Sequence, residues 1–201
     1  MGKELEYKLH IDSPTLLTQI LADEQLAAYC VGVWRETEMK TTYYDTPSRA
    51  FAARKWTCRH RREGDVDVLC VKTPLPEAHT RGEFEIKACR FDESALERLL
   101  LAGAPKELCL LLAEGEPEAI CGAEFTRRSV LLRFSDGSTA ELAGDNGRLL
   151  GTREVLPFTE LELELKSGEP TQMLQLVRYL CRRYSLHEEP LSKFARARKL
   201  Q

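Results

Sequence analysis

Two segments of the chain place several carboxylates on one face of a predicted strand. In Glu4-Leu5-Glu6-Tyr7-Lys8-Leu9, charged residues occupy the even positions and apolar residues the odd positions. Residues 159–166 repeat this alternation, which spaces their three glutamates at intervals of about 7 Å along the strand. Carboxylates on one face repel one another in water, and their oxygen atoms are the ligands that hard divalent cations such as Mg²⁺ and Mn²⁺ prefer. Both segments therefore favour metal-assisted chemistry.

Basic side chains share strand faces in the same way. Arg59 and Arg61 lie on one face of a short strand, and residues 81–87 carry two basic and two acidic side chains on one face, with Phe84 and Ile86 on the other. A charged face on a single strand is usually the solvated side of an antiparallel sheet. Here acidic and basic faces recur with little neutral filler, which favours an arrangement in which they point at each other.

A closed sheet allows these charged faces to compensate one another. In a β-barrel, helices cover the apolar faces outside while the ionic faces line a hydrated lumen. Apolar recurrence at three and four residues predicts helices over residues 14–29, 92–101, 106–114 and 170–184. Turns are predicted at residues 63–65, 135–138 and 145–147, because each contains a glycine beside polar residues.

Composition predicts a globular protein without a long-range electrostatic field. The 201 residues are 43% hydrophobic and 30% charged, and a single domain over residues 1–201 is expected. Because 29 basic and 32 acidic residues leave a net charge of only -3, we expect no nucleic-acid and no membrane partner. Seven cysteines without C-x-x-C spacing favour reduced thiols, and the first residues carry no apolar leader pattern, so a cytoplasmic location is expected.

The charged segments also resemble, in order, the motifs of a known family. Glu4-x-Glu6-x-Lys8 is similar to the signature of the CYTH, or triphosphate tunnel metalloenzyme, family. The similarity continues over nearly the whole chain through Tyr43-Tyr44-Asp45-Thr46-Pro47, Arg59-x-Arg61, Val71-Lys72-Thr73, Arg81-x-Glu83-x-Glu85, Phe125-x-Arg127-Arg128, Glu141-x-x-x-Asp145-x-Gly147, residues 160–168 and Ser192-Lys193-x-x-Arg196. The C-terminal half most resembles bacterial inorganic triphosphatases. After Arg196 the family often has a glycine where this chain has Ala197, so the role of the tail stays open.

The resemblance implies an α+β fold built as a closed antiparallel eight-stranded β-barrel, with a charged lumen that forms a triphosphate tunnel and with helices packed outside. It implies an enzyme that uses Mg²⁺ or Mn²⁺ to hydrolyse inorganic triphosphate, or a closely related triphosphate, with release of phosphate. Thiamine triphosphatase and class IV adenylate cyclase are alternatives within the same family. A non-catalytic barrel that binds polyphosphate or nucleotides is the alternative of a different class, and metal-dependent phosphate release distinguishes it.

The resemblance also implies roles for individual charged residues. The expected catalytic residues are Glu4, Glu6 and Lys8, with the attacking water on the Glu4/Glu6 side. The expected metal ligands are Glu4, Glu6, Asp145, Glu160, Glu162 and Glu164. The expected substrate-binding residues are Lys8, Arg59, Arg61, Lys72, Arg81, Arg127, Arg128, Lys193 and Arg196. Because adjacent residues of a strand face opposite sides, only one of Arg127 and Arg128 can point into the lumen, and the sequence leaves open which.

Overall fold

The structure is a computed structural model that describes residues 2–113 and 115–200, and its strands form a closed sheet. The strands are β1 (Gly2–His10), β2 (Cys30–Asp45), β3 (Thr57–Glu63), β4 (Val66–Pro74), β5 (Thr80–Lys87), β6 (Glu118–Arg133), β7 (Thr139–Leu150), β8 (Val155–Ser167) and β9 (His187–Glu188). The first eight follow the order β5-β4-β3-β2-β6-β7-β8-β1, and β1 also pairs with β5. Every pairing is antiparallel. The expected closed eight-stranded antiparallel barrel is therefore confirmed, and β9 adds a short edge beside β1.

The helices lie between the strands in sequence. They are α1 (Pro14–Leu21), α2 (Glu24–Ala27), α3 (Ala50–Ala53), α4 (Glu93–Leu101), α5 (Glu107–Ala113), α6 (Thr171–Tyr184) and α7 (Lys193–Ala197). The prediction of one helix over residues 14–29 is wrong, because the Asp23 carboxylate accepts hydrogen bonds from the N–H groups of Gln25 and Leu26 at 2.9 and 3.0 Å and caps a second helix. The other three predicted helices are confirmed, each beginning one residue later, and Glu114 lies outside the described residues.

Apolar side chains cover the outer face of the barrel. Leu161 and Leu163 of β8 point away from the charged face and are fully buried against α1 and α6, together with Ile20 and Leu180. A second apolar cluster packs α3, α4 and α5 against β3, β4 and β5. Each fully buried side chain of this kind contributes about 1.5 to 3 kcal/mol relative to exposure. These two apolar clusters thus lie outside the barrel wall.

Strand register aligns the charged faces of neighbouring strands. Glu6 lies opposite Glu164, and Lys8 lies opposite Glu162, across the β1–β8 pair. The prediction of a turn at residues 145–147 is wrong, because these residues continue β7. Gly147 serves close packing instead, since a Cβ there would overlap the backbone of β6. The turns at residues 63–65 and 135–138 are confirmed.

Helix α7 packs against side chains of the inner face of the barrel. Its Ala197 contacts the cluster of Phe125 and Phe158, and its Phe194 lies 5.2 Å from the Tyr43 ring. The lumen is therefore charged over most of its length and apolar beside α7. None of the helices in the described ranges has the length and apolarity that crossing a bilayer requires.

Candidate active site

A charged cavity of about 390 Å³ occupies the barrel lumen. Within the part of the chain that the structure describes, nine Lys or Arg and eight Glu side chains line it. Those expected from the sequence are Glu4, Glu6, Lys8, Arg59, Arg61, Lys72, Arg81, Arg127, Glu162, Glu164 and Lys193. Those not assigned a role from the sequence are Arg35, Glu63, Glu83, Glu85, Glu141 and Lys166. Because the two signs nearly balance, the cavity attracts neither a bare anion nor a bare cation strongly.

One carboxylate group in the cavity combines three strands. Oxygen atoms of Glu4 (β1), Glu83 (β5) and Glu164 (β8) all lie within 4.8 Å of one another. The Lys72 ammonium donates to both oxygens of Glu4 at 2.7 and 2.6 Å and lies 3.0 Å from Glu83. A second cation, Lys166, lies 2.7 Å from Glu164. This group of carboxylates therefore shares two lysines, and all of it faces the cavity.

Burial and neighbouring charges shift the pKa values in this group in opposite directions. Burial raises the pKa of Glu4 to about 7 against the opposing charge of Lys72, and the neighbouring carboxylates Glu6 and Glu83 add to the rise. Burial alone would also raise the pKa of Glu83, but Lys72 and Arg59 lower it to about 2. Burial raises the pKa of Glu164 as well, although Lys166 opposes the change. Glu4 is thus the member whose charge is most costly to keep.

Strand β3 contributes two arginines to the cavity lining. The Arg61 Nε–H donates to Glu63 at 2.6 Å, whereas Arg59 Nη2 reaches Glu83 and Glu85 only at 3.5 and 3.4 Å. Arg59 Nε is buried and has no hydrogen-bond partner among the described residues. A guanidinium with an unused donor, fixed on a strand, is arranged to bind an additional acceptor such as a phosphate oxygen.

A second carboxylate group is paired with cations. Oxygen atoms of Asp145, Glu160 and Glu162 lie within 4.8 Å of one another, and the Lys193 ammonium contacts all three side chains. Arg127 donates to Asp145 through two hydrogen bonds of 2.7 Å and also contacts Glu162. Burial opposes the charge of Glu162, but Lys193 and Arg127 hold its pKa well below the ordinary value.

The structure separates several residues that the sequence grouped together. Arg127 lines the cavity, whereas Arg128 lies outside it, 43% exposed, 3.9 Å from Glu36 and stacked 5.7 Å from the Trp34 ring centroid. The described lining of the cavity also leaves out three further expected site residues, Asp145, Glu160 and Arg196. Asp145 and Glu160 are fully buried on the inward faces of β7 and β8, where Lys193 contacts both side chains and Arg196 contacts Glu160.

Lys8 and Glu6 are neighbours in the cavity lining. The Lys8 ammonium lies 3.6 Å from Glu6 and 3.5 Å from the carbonyl oxygen of Leu191. Both distances are long for hydrogen bonds, so the ammonium keeps donors available for another ligand. Glu6 lines the cavity, and 22% of its side chain is exposed.

The residues without a role assigned from the sequence share one signal, the parity of their strands. Glu83 and Glu85 alternate with Phe84 and Ile86, so they lie on the same face of β5 as Arg81 and point into the lumen with it. Cys70 joins them in a third group with Glu83 and Glu85. Burial raises the pKa of the Cys70 thiol to about 12, so this group lacks a third anionic ligand at neutral pH.

The all-carboxylate group of Glu4, Glu83 and Glu164 fits a hard divalent cation by donor chemistry. Its members come from three strands that the barrel holds together, which fixes their spacing. The group with Cys70 offers a soft sulfur donor instead and does not fit such a cation. Acidic residues of this chain could therefore bind a metal ion at the first group.

The protein is a closed antiparallel β-barrel whose lumen is lined by nearly equal numbers of cations and carboxylates. Its sequence identifies the family. The CYTH domain is matched over residues 2–197. The chain therefore belongs to the CYTH family.

One curated relative and several solved structures are similar to the chain. An inorganic triphosphatase of Haemophilus influenzae is 28% identical over 183 residues, which cover 90% of this chain and 50% of that protein. The chain thus spans about half the length of this relative.

The solved structures share the fold at low sequence identity. A protein of Pyrococcus horikoshii has a TM-score of 0.61 at 15% identity, covering 98% of this chain and 99% of its own. A candidate adenylyl cyclase from Hippeastrum with a dominant triphosphatase activity has a TM-score of 0.60 at 19% identity, covering 98% and 96%. A candidate adenylate cyclase from Bacillus halodurans has a TM-score of 0.58 at 15% identity, covering 96% of both chains. These similarities show the fold alone.

Proposed function

We propose that the protein hydrolyses inorganic triphosphate, or a closely related triphosphate, in a reaction that depends on Mg²⁺ or Mn²⁺. The observation that carries this proposal is the cavity itself, in which arginine and lysine side chains face carboxylates in nearly equal numbers. The similarity to the Haemophilus influenzae inorganic triphosphatase supports it. A non-catalytic anion-binding protein would gain little from eight lumen carboxylates, because each of them weakens anion binding.

Charge balance supports a metal requirement. Triphosphate brings several negative charges, while the cations of the cavity are already largely compensated by its carboxylates. Binding therefore leaves an excess of negative charge unless divalent cations accompany the substrate. The residues proposed to hold such a cation are Glu4, Glu6, Glu162 and Glu164, with Glu83 added from the structure. When bound there, Mg²⁺ or Mn²⁺ supplies charge neutralisation at the phosphate oxygens.

The cations of the wall are proposed to bind and orient the phosphates. These residues are Lys8, Arg59, Arg61, Lys72, Arg81, Arg127 and Lys193. Phosphoryl transfer requires mainly positioning and charge stabilisation, both of which strand-borne guanidinium groups provide. The Glu4 and Glu6 carboxylates lie beside two of these cations, 2.6 Å from Lys72 and 3.6 Å from Lys8, and would accept hydrogen bonds from the attacking water and orient it. Arg196 contacts Glu160 and Glu189 outside the described cavity lining, so we assign it to support of the wall.

The experiment that tests this proposal is phosphate release by the purified protein. Tripolyphosphate, thiamine triphosphate and ATP are compared in parallel with Mg²⁺, Mn²⁺ or excess chelator. We expect fast turnover of tripolyphosphate that the chelator abolishes. Pyrophosphate from ATP would instead indicate a cyclase, and binding of tripolyphosphate without turnover of any substrate would indicate a binding protein. A cytoplasmic location and the absence of nucleic-acid and membrane partners stay predictions.

A further inference from the structure

The two arginines of β3 that line the cavity differ in how far their donors are already used. The Arg61 Nε–H donates to Glu63 at 2.6 Å, and Nη2 of the same guanidinium contacts the same glutamate oxygen. The Nη2 contacts of Arg59 to Glu83 and Glu85 are 3.5 and 3.4 Å long, and its buried Nε has no hydrogen-bond partner among the described residues. Arg61 is therefore occupied by a carboxylate of its own strand, whereas Arg59 keeps a donor for a ligand.

Glu63 lies at the end of this row of side chains. It is the last residue of β3, Arg61 precedes it by two residues and Arg59 by four, and all three side chains line the cavity. Residues two apart on a strand share a face and lie about 7 Å apart. A single phosphate group at Arg59 thus leaves the Arg61–Glu63 pair intact, whereas a phosphate chain that extends from Arg59 toward Glu63 meets Arg61 next.

The Arg61–Glu63 pair is placed where an exchange of partners costs little. The Glu63 side chain is 30% exposed and borders the turn at residues 63–65, so its carboxylate can be hydrated when Arg61 donates to another acceptor. Among the other carboxylates that contact lining cations, Glu83 is 18% and Glu162 is 10% exposed. Because hydration offsets the loss of an ion pair more fully at an exposed site, the pair of Glu63 is easier to break than theirs.

We infer that Glu63 is a specificity-determining residue, whose carboxylate competes with phosphate oxygens for Arg61 and weakens the binding of phosphate chains more than the binding of orthophosphate. This inference rests on the proposed function. After hydrolysis, the same carboxylate returns to Arg61 and favours release of the diphosphate that remains. Glu85 does not compete in this way, because at 3.8 Å it makes no hydrogen bond to Arg61.

The variant that tests this role is Glu63→Gln, which removes the charge and keeps the shape of the side chain. Calorimetry in excess chelator measures binding without metal-dependent turnover. We expect the Kd for tripolyphosphate to fall about fivefold, because a partly exposed ion pair no longer competes with the ligand. The Kd for orthophosphate should stay within about twofold of the wild type. In an Arg61→Gln background, Glu63→Gln should change the Kd for tripolyphosphate by less than about twofold, because its effect passes through Arg61.

Glu141→Gln is the matched control. Glu141 also lines the cavity but is not among the described carboxylates that contact Arg61, so its replacement removes the same charge without freeing that guanidinium. The affinity for tripolyphosphate should rise less than about twofold in this variant. An equal rise in the two variants would show a general effect of charge, and an unchanged or lower affinity in Glu63→Gln would show that Glu63 does not compete with the ligand. Either result would overturn the inference.

Product inhibition tests the effect of Glu63 on release. In steady-state assays with tripolyphosphate and Mg²⁺, the inhibition constant of pyrophosphate should fall about fivefold in Glu63→Gln and stay within about twofold of the wild type in Glu141→Gln. An unchanged inhibition constant in Glu63→Gln would refute the role in release.

A crystal structure of the wild-type protein with tripolyphosphate covers the case in which Glu63→Gln does not fold. The Arg61 guanidinium should leave Glu63 and donate to a phosphate oxygen, while Arg59 donates to a neighbouring phosphate. A phosphate chain that binds while the Arg61–Glu63 pair persists would refute the competition. Absence of turnover with every triphosphate would refute the proposed function alone, because the binding measurements and this structure still decide the role of Glu63.

Discussion

Replacing Arg59 by alanine should impair substrate binding far more than it impairs folding. The side chain contributes little to the barrel itself, because its Nη2 contacts to Glu83 and Glu85 are 3.5 and 3.4 Å long and its buried Nε has no described partner. In the variant, Glu83 still has an ion pair with Lys72, and Glu85 still lies 3.8 Å from Arg61, so neither carboxylate loses its last cationic partner. The Arg59 guanidinium also lines the cavity, where it can donate to an acceptor such as a phosphate oxygen.

The expected effect of Arg59→Ala on KM is larger than its expected effect on the unfolding free energy. A hydrogen bond to a charged group contributes about 1.5 to 3 kcal/mol, so loss of the Arg59 contact to phosphate should raise KM about 10- to 150-fold. The loss of the two long ion-pair contacts should cost less than about 1 kcal/mol of unfolding free energy, since removal of a desolvated cation offsets part of it. For a chain of this size, that corresponds to a fall in Tm of less than about 4 °C.

Arg62 provides a matched control on the same strand. Its side chain is 58% exposed and lies outside the described cavity lining, and its polar contacts to described residues are with Gly64 and Asp65 in the adjoining turn. Arg62→Ala should leave KM for tripolyphosphate within about twofold of the wild type. Steady-state phosphate release and thermal unfolding of both variants measure the two quantities. Equal KM values for the Arg59 and Arg62 variants, or a loss of stability by Arg59→Ala as large as its loss of binding, would refute the reasoning.

Other substitutions test the metal site and the scaffold. Glu6→Gln should lower turnover about 100-fold or more with an unchanged circular dichroism spectrum, and wild-type turnover in Mg²⁺ would contradict its role. Asp23→Ala removes a helix cap and hydrogen bonds from Tyr179 and Tyr184, so denaturant titration should show a loss of about 2 to 3 kcal/mol. Burial opposes the charge of Asp23, but these hydrogen bonds lower its pKa in the folded protein. The wild type should therefore be more stable than Asp23→Asn above pH about 4, and this difference in unfolding free energy should vanish as the pH falls through the lowered pKa of Asp23. Gly147→Ala forces a Cβ into the β6 backbone and should lower the unfolding free energy by about 3 kcal/mol or more in the same titration. An unchanged denaturation midpoint would show that β6 and β7 can move apart at little cost.

Strand parity predicted most of the side chains that face the lumen, whereas the closed eight-stranded barrel followed from the family resemblance. A side chain that alternates with buried leucines has only one other face available, which is why Glu162 and Glu164 could be assigned without any knowledge of the neighbouring strands. Parity also contained the information for Glu83 and Glu85. It failed at residues 145–147, where a glycine needed for close strand packing looks in the sequence like a turn.

Pairing between charges could not be predicted, because it depends on register. Asp145 and Glu162 are both acidic residues of inward faces, but only the alignment of β6, β7 and β8 shows that Asp145 lies opposite Arg127. The choice between Arg127 and Arg128 required the same information. A sequence pattern thus predicts which side chains face the lumen, and the register determines which of them are already compensated.

The near balance of charge in the lumen links folding to the proposed chemistry. A barrel with eight inward carboxylates and no cations would be unstable through repulsion, and one with nine inward cations would be equally so. Lys72 donates to both oxygens of Glu4, so binding of a phosphate to Lys72 would compete with this ion pair. A divalent cation held by Glu4 would leave Lys72 free to donate to phosphate, and phosphate held by Lys72 would leave Glu4 free to bind a cation. Each ligand would then lower the cost of binding the other, and by linkage the two effects would be equal in size.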